Sequence, residues 1–293
     1  MTTLSDVLRD DDLRTLASLQ VLARTVVEGL STGLHRSPNK GASVEFRQHR
    51  QYVPGDEIRR LDWKVYGKRD RLYIREYEEE TSLRATLLVD VSGSMAYGAK
   101  HEYALRLAAC LAYLMLQQGD SVGLVTFDTK VRKHLPPRSN PGHLRLLLDT
   151  LAGSKVGGET SLARVFHTLA PLFHRRGLLI VISDCFSEVA DLAPALAELR
   201  HDHHEVIVLQ LWDRSELDFP FKGWTRFESL EDTTQHRLVD PAHMRAAYLA
   251  KLATFREDLR KACHRHRVEL APLVTDQPYA EALARFISLR MPR

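Results

Sequence analysis

The apolar positions of this 293-residue chain show two textures, and the change falls near residue 80. Ahead of it, DDDLRTLASLQVLARTVVEGL (10–30) sets Leu13, Leu16, Leu19, Leu22, Val26 and Val27 at helical spacing. Acidic residues come first, where the helix dipole favours them. The stretch STGLHRSPNKGAS then reads as an exposed loop, rich in residues that break regular structure. Residues 44–80 offer short β-like pieces, VEFRQ and RLYIREYEEE, around a VPGDE turn, with too few apolar positions for a full core of their own.

From residue 83 the pattern becomes strongly periodic. LRATLLVDV is a near-continuous apolar run that breaks at Asp90, as in a strand buried on both faces. A helix is predicted from about Ala99 to Gln118, stopped by Gly119. SVGLVTF (121–127), GLLIVISD (177–184) and HEVIVLQLW (204–212) read as strands, and HLRLLLDTLAG, SLARVFHTLAPLF and VADLAPALAELRH as helices. WTRFESLEDTTQHRLV predicts a hairpin with its turn near Asp232. A long amphipathic helix (PAHMRAAYLAKLATFREDLRKACHRH), a strand (VELAPL) and a closing helix (YAEALARFISLR) follow. Alternation at this spacing implies an α/β fold, a doubly wound, mainly parallel sheet with helices on both faces. The expected division is an N-terminal helix and small β-rich module over 1–80 and an α/β domain over 81–293.

Composition narrows the class. Hydrophobic residues make up 44% of the chain and charged residues 27%, as in soluble globular proteins. The most apolar helical run, LAACLAYLML (107–116), reaches only about half of the ~20 residues that a membrane span needs. The N-terminus lacks the cationic-then-apolar layout of a secretory signal. Cys110, Cys185 and Cys263 are too few and scattered for a disulfide framework, which makes a reducing cytoplasm the simplest compartment. Net charge of +3 makes no global case for nucleic acid. Ser31 to Arg75 nevertheless carries eleven Lys/Arg against five Asp/Glu, followed at once by the acidic run Glu76-Tyr77-Glu78-Glu79-Glu80.

The chemistry gathers at strand ends. Ligands of open α/β sheets bind outside the carboxyl ends of the strands, near a topological switch point. Asp90 ends one predicted strand, with Ser92 and Ser94 just beyond it, and Asp184 ends another. The loop GGETSL (157–162) offers Thr160, with Glu159 and Ser161 as neighbours able to take part. Oxygen-only ligation selects hard cations, Mg²⁺, Mn²⁺ or Ca²⁺. With two formal charges the expected Kd is on the order of 10⁻⁴ to 10⁻³ M. The bland alternative is a polar turn, since Asp and Ser side chains often cap backbone N–H groups.

Enzymatic motifs are missing. The sequence contains no G-x-x-x-x-G-K-[ST] or G-x-G-x-x-G phosphate loop and no G-x-S-x-G elbow around Ser92 or Ser94. A phosphatase using Asp90 as nucleophile would want a second acid at position 92, which is Ser, and no suitably spaced lysine is evident. HDHH (201–204) lies between a helix and a strand and reads as a solvated loop. Cys263 to Arg267 ends a helix, where cations suit the dipole.

LLVDVSGSM, GGETSL and VISDCF, in this order, resemble the metal-ion-dependent adhesion site of von Willebrand factor A domains. The resemblance implies that Asp90, Ser92, Ser94, Thr160 and Asp184 gather around a divalent cation, Asp184 often through water. Many members read Gly-Gly-Thr, whereas Glu159 here separates Gly158 from Thr160. Upstream, YVPGDEIRRLDWKVYGKRDRLYIREYEEE (52–80) resembles the signature of the bacterial family called domain of unknown function 58, at Tyr52, Pro54, Gly55, Asp56, Arg59, Asp62 and Trp63. Gly67-Lys68-Arg69 departs from the small residue and arginine that members often show there.

Pro54-Gly55 is a tight turn. Asp56 and Asp62 have arginines near enough to pair with, and Trp63 can pack the module or form a docking surface. The family resemblance implies a cytoplasmic, chaperone-like adaptor working beside MoxR-type AAA+ ATPases, or a factor assembling metal-containing complexes. The expected function is a non-enzymatic, divalent-cation-dependent protein–protein interaction module whose partner supplies an acidic residue. The rivals are a metal-dependent phosphohydrolase using Asp90 and a nucleic-acid binder using the basic 31–75 segment, the latter with steeply salt-dependent affinity.

Overall fold

The computed structural model describes residues 21–24, 27, 45–52, 65–66, 72–78 and 83–290, apart from 141, 159–160, 174–175, 202 and 229–235. The chain divides into two units, one of residues 38–82 and one formed by 1–37 together with 83–293. The change of texture near residue 80 coincides with one boundary. Residues 21–24 and 27 group with the α/β unit. Their helical apolar spacing gives the reason, because Ala23 and Val27 are buried in the same hydrophobic cluster as Leu107 and Leu111.

In the small unit, β1 (Glu45–Gln51) pairs antiparallel with β2 (Tyr73–Glu78), with an irregular register between Phe46 and Gln48. The Tyr52 amide extends the pairing by donating to the Leu72 carbonyl at 3.0 Å. Pro54, Gly55, Asp56, Arg59, Asp62 and Trp63 lie outside the described residues.

The large unit is built on six strands: β3 (Arg84–Asp90), β4 (Ser121–Phe127), β5 (Val131–Arg138), β6 (Leu178–Ser183), β7 (Glu205–Trp212) and β10 (Glu269–Val274). Their order is β10-β7-β6-β3-β4-β5, parallel throughout except for β5, which runs antiparallel along β4. The apolar runs have the character that a two-sided sheet requires. Leu87, Val89, Ile180, Ile182, Leu209 and Leu211 face one hydrophobic cluster, while Leu88, Leu179, Val181, Val206 and Val208 face the other.

Helices α1 (Lys100–Gln117), α2 (His143–Ala152) and α7 (Tyr279–Arg290) contribute to the first cluster. Helices α3 (Leu162–Leu169), α4 (Val189–His201) and α6 (Pro241–Arg265) contribute to the second. A short helix, α5 (Arg214–Asp218), and the antiparallel pair β8 (Thr225–Glu228) and β9 (His236–Val239) separate β7 from α6. The hairpin turn expected near Asp232 lies outside the described residues.

This is a doubly wound, mainly parallel α/β architecture. The chain leaves β3 toward β4 on one side, and β6 flanks β3 on the other. The switch point of the sheet therefore lies between β3 and β6.

In HDHH, His201 and His203 are exposed as a solvated loop requires, whereas the last residue departs from that expectation. His204 is buried, and its ring accepts the Gly177 amide at 3.2 Å and lies 3.0 Å from the Phe173 carbonyl, pinning the loop before β6 to the start of β7. Because β6 has no exposed residue, Ile180→Ala should remove about 2–5 kcal/mol of stability by leaving a cavity between the two helical layers, read as a lower midpoint in urea unfolding.

Candidate functional site

Strand register decides which residues meet at the switch point. Asp90 lies opposite Phe127 of β4, and Val89 opposite Ile182 of β6. Asp128 stands one residue beyond Phe127 and Asp184 two beyond Ile182, so three carboxylates end neighbouring strands. All three have 0% exposure. Buried carboxylates are costly unless hydrogen-bonded or paired with cations, and each solves the problem differently.

Asp128 accepts the Lys130 amide at 3.1 Å on Oδ1 and Arg132 Nε at 2.6 Å on Oδ2. Asp184 accepts the Phe186 amide at 3.2 Å on Oδ1 and the Lys100 ammonium at 2.7 Å on Oδ2. Asp90 accepts the Ser92 amide at 2.8 Å on Oδ1 and the Ser183 hydroxyl at 2.6 Å on Oδ2. Among the described residues, Asp90 alone of the three has no cation beside it. Burial, then repulsion from Asp184, pushes its carboxyl up to about 7, against the hydrogen bonds from Ser183 and Ser92.

Hydroxyls crowd the same spot. Ser92 is fully buried, Ser94 is half-buried, and their Oγ atoms lie 3.1 Å apart. The loop 153–158 is fastened to them by the Gly93 amide donating to the Gly158 carbonyl at 2.8 Å and the Gly157 amide to the Val91 carbonyl at 3.0 Å. Gly158 is required here: its φ is +81°, and a Cβ would stand 2.9 Å from Asp128 Oδ2. The loop thus fastens Gly157 and Gly158 to the turn that follows Asp90. Thr160 and Glu159 themselves lie outside the described residues. Of the expected site residues, Asp90, Ser92, Ser94 and Asp184 are brought to one strand-end cluster. Among the described residues no group of three or more His, Cys, Asp and Glu could hold a metal, so any ion at this edge depends on hydroxyl oxygens.

Lys100, Glu216, Ser183 and Asp128 escaped the sequence reading. Lys100 opens α1 with no exposed surface and bridges Asp184 and Glu216, the latter at 2.8 Å. Burial would depress the lysine, but the two carboxylates raise it above its ordinary value. Glu216 also rises, because its burial outweighs the attraction of Lys100.

Glu216 sits in the capping box of α5, where its Oε2 accepts the Asp213 amide at 2.7 Å. The Tyr97 hydroxyl lies 2.9 Å from Ser215 Oγ, and the Tyr248 hydroxyl donates to the Glu216 carbonyl at 2.9 Å. Gly98, with φ +56°, lets the loop after β3 approach Asp213 where any Cβ would collide with the carboxylate. The strand-end residue Asp128 was legible as the residue after SVGLVTF. The lysine was not, because a charge in the first turn of a helix ordinarily faces water.

The residues and fold together define an α/β domain with a doubly wound, mainly parallel sheet. The chain belongs to the family described as "Protein of unknown function DUF58", which matches residues 48–258. It is 26% identical over 291 residues to the uncharacterized protein Rv1480 of Mycobacterium tuberculosis, covering 96% of this chain and 91% of that protein. Among solved structures it is similar to the conserved hypothetical protein BatB of Bacteroides thetaiotaomicron (16% identity, TM-score 0.45, 71% of this chain and 98% of that one). It is also similar to the vWF domain of the type V pili tip protein Mfa5 from Porphyromonas gingivalis (9% identity, TM-score 0.35, 73% and 98%).

Two outcomes test the electrostatics. Lys100→Met leaves Asp184 and Glu216 buried without their cation and should lower stability by about 3–5 kcal/mol in urea unfolding. Adding Asp184→Asn and Glu216→Gln should recover much of the loss. The Asp90 carboxyl binds its proton more tightly folded than unfolded, so its contribution is full below about pH 4 and is lost as pH rises through about 7. Without divalent cations, thermal stability should therefore fall between pH 5 and 8 more steeply in wild type than in Asp90→Asn, as followed by circular dichroism.

Proposed function

We propose that the chain is a non-enzymatic interaction module in which a divalent cation at Asp90, Ser92 and Ser94 captures an acidic side chain of a protein partner. The observation that carries this reading is the asymmetry among the three buried carboxylates: Asp128 has Arg132, Asp184 has Lys100, and Asp90 has only hydroxyl and amide donors. A small hard cation would supply the missing positive charge, and the donor set, all oxygen, suits Mg²⁺, with Mn²⁺ or Ca²⁺ as substitutes. When bound, the ion would act as a Lewis acid whose open coordination positions attract a carboxylate. Asp90 and the two hydroxyls are the direct donors, and Thr160 is the further expected one. Asp184, whose Oδ2 already carries the Lys100 ammonium, belongs to an outer shell reached through water.

The surroundings favour binding over turnover. Lys100 is held between two carboxylates without exposed surface and has no ammonium to offer a substrate phosphate. Half-buried Ser94 gives the site its opening. The partner proposed from the family resemblance is a MoxR-type AAA+ ATPase or its client, met in the cytoplasm, with the chain serving as an adaptor or chaperone-like factor. No helix among the described residues is long and apolar enough to cross a membrane.

The test is affinity capture with wild type and Asp90→Ala, each in Mg²⁺ or EDTA. Capture of an AAA+ ATPase or its client by wild type in Mg²⁺ only is the expected outcome. Equal capture by both proteins with or without metal would overturn the reading. Calorimetric titration of Mg²⁺ should show a Kd on the order of 10⁻⁴ to 10⁻³ M that Asp90→Ala abolishes.

A further inference from the structure

Next to the candidate site, the far side of loop 153–157 forms one wall of a groove of about 670 Å³ between α2, β5 and the end of β4. Val91 and Gly157 line it, the same two residues whose backbones join the loop to the Asp90 turn. The groove therefore begins where the D-x-S-x-S turn ends. Its lining is mainly apolar, contributed by Leu135, Leu146 and Val156, and Leu146 is left 48% exposed on α2.

Cations stand around this apolar floor. Arg132, Lys133 and Lys155 line the groove, against one carboxylate, Asp149, whose Oδ2 is 3.9 Å from Arg145 and whose Oδ1 has no hydrogen-bond partner. Arg132 is engaged by Asp128, but exposed Lys133 and Lys155 have no ion-pair partner among the described residues. Strand β5 is a sheet edge, yet Pro136 and Pro137 remove two of its backbone donors and weaken it as a template for an added strand. Recognition here falls to side chains.

We infer that this groove binds a short acidic peptide segment of the protein partner, with apolar side chains over Leu135, Leu146 and Val156 and carboxylates at Lys133 and Lys155. The inference rests on the cation reading of Asp90 for its first anchor: one acidic residue caps the ion, and the adjoining residues run into the groove. Charge complementarity selects the occupant. Two unpaired lysines beside an apolar floor match alternating acidic and aliphatic residues. A nucleotide fits less well, since the cations are exposed side chains and the sequence has no phosphate-cradling loop at this wall.

The test is selection of phage-displayed random dodecapeptides against the full chain in Mg²⁺, with anisotropy titration of the enriched peptides. Acidic–aliphatic peptides should emerge. Their binding should weaken at least about tenfold in Lys133→Glu/Lys155→Glu and again in Leu146→Asp, a second variant on the apolar side. Peptides without acidic residues, no enrichment over the charge-reversed variant, or binding unchanged in both variants would overturn the inference. So would ATP binding that depends on the two lysines while no acidic peptide is enriched. The two readings fail separately. Loss in Asp90→Ala without loss in the groove variants sinks the groove and keeps the ion, whereas the reverse pattern keeps the groove and sinks the ion.

Discussion

The structure depends on holding three carboxylates without exposed surface at one edge of a sheet. Asp90, Asp128 and Asp184 are there because strands that are apolar on both faces must end where their neighbours end, and polar groups can enter only at that margin. Each buried carboxylate must be matched with donors or cations, and the molecule supplies a cation of its own to two of the three. Arg132 reaches back from the start of β5, and Lys100 reaches across from the start of α1. What distinguishes Asp90 is that the chain surrounds it with hydroxyls and amides and stops short of supplying a charge.

The Lys100 bridge does more than neutralise Asp184. It joins the loop after β3, the loop after β6 and the capping box of α5 through one ammonium group, with Tyr97 and Tyr248 tying the same elements from either side. These loops belong to three different strands of the sheet. Their relative positions are therefore set by a buried ionic contact, which is intolerant of small displacements because neither carboxylate can turn to water. A site assembled on such loops is preorganised, and an ion added at Asp90 would find its donors already placed.

Much of the fold was legible because the chemistry of a parallel sheet is written in continuous apolar runs. LLVDV, SVGLVTF, LLIVIS and EVIVLQLW all became central strands. The edge strand β5 was not legible, since VRKHLPPR is exposed along most of its length and carries two prolines, as a protected edge does. The placing of Ala23 and Val27 in the core of the α/β unit was not legible from texture alone. At the site, Asp90, Ser92 and Ser94 were readable from spacing, and Asp184 from its place after an apolar run. The cations that decide the electrostatics were not readable, because Lys100 and Arg132 look like surface charges until the strand order brings carboxylates to them.

The central claim is that, of the three buried strand-end carboxylates, Asp90 is the one left for an external cation. The most direct measurement is anomalous diffraction from crystals of wild type and Lys100→Met soaked in Mn²⁺. The account predicts in wild type an anomalous peak within about 2.0–2.6 Å of Asp90, Ser92 and Ser94 oxygens. It also predicts that Lys100 remains on Asp184. No Mn²⁺ at Asp90 in wild type, with the ion appearing on Asp184 only once Lys100 is removed, would contradict it and leave this edge of the sheet with the cations of its own side chains alone.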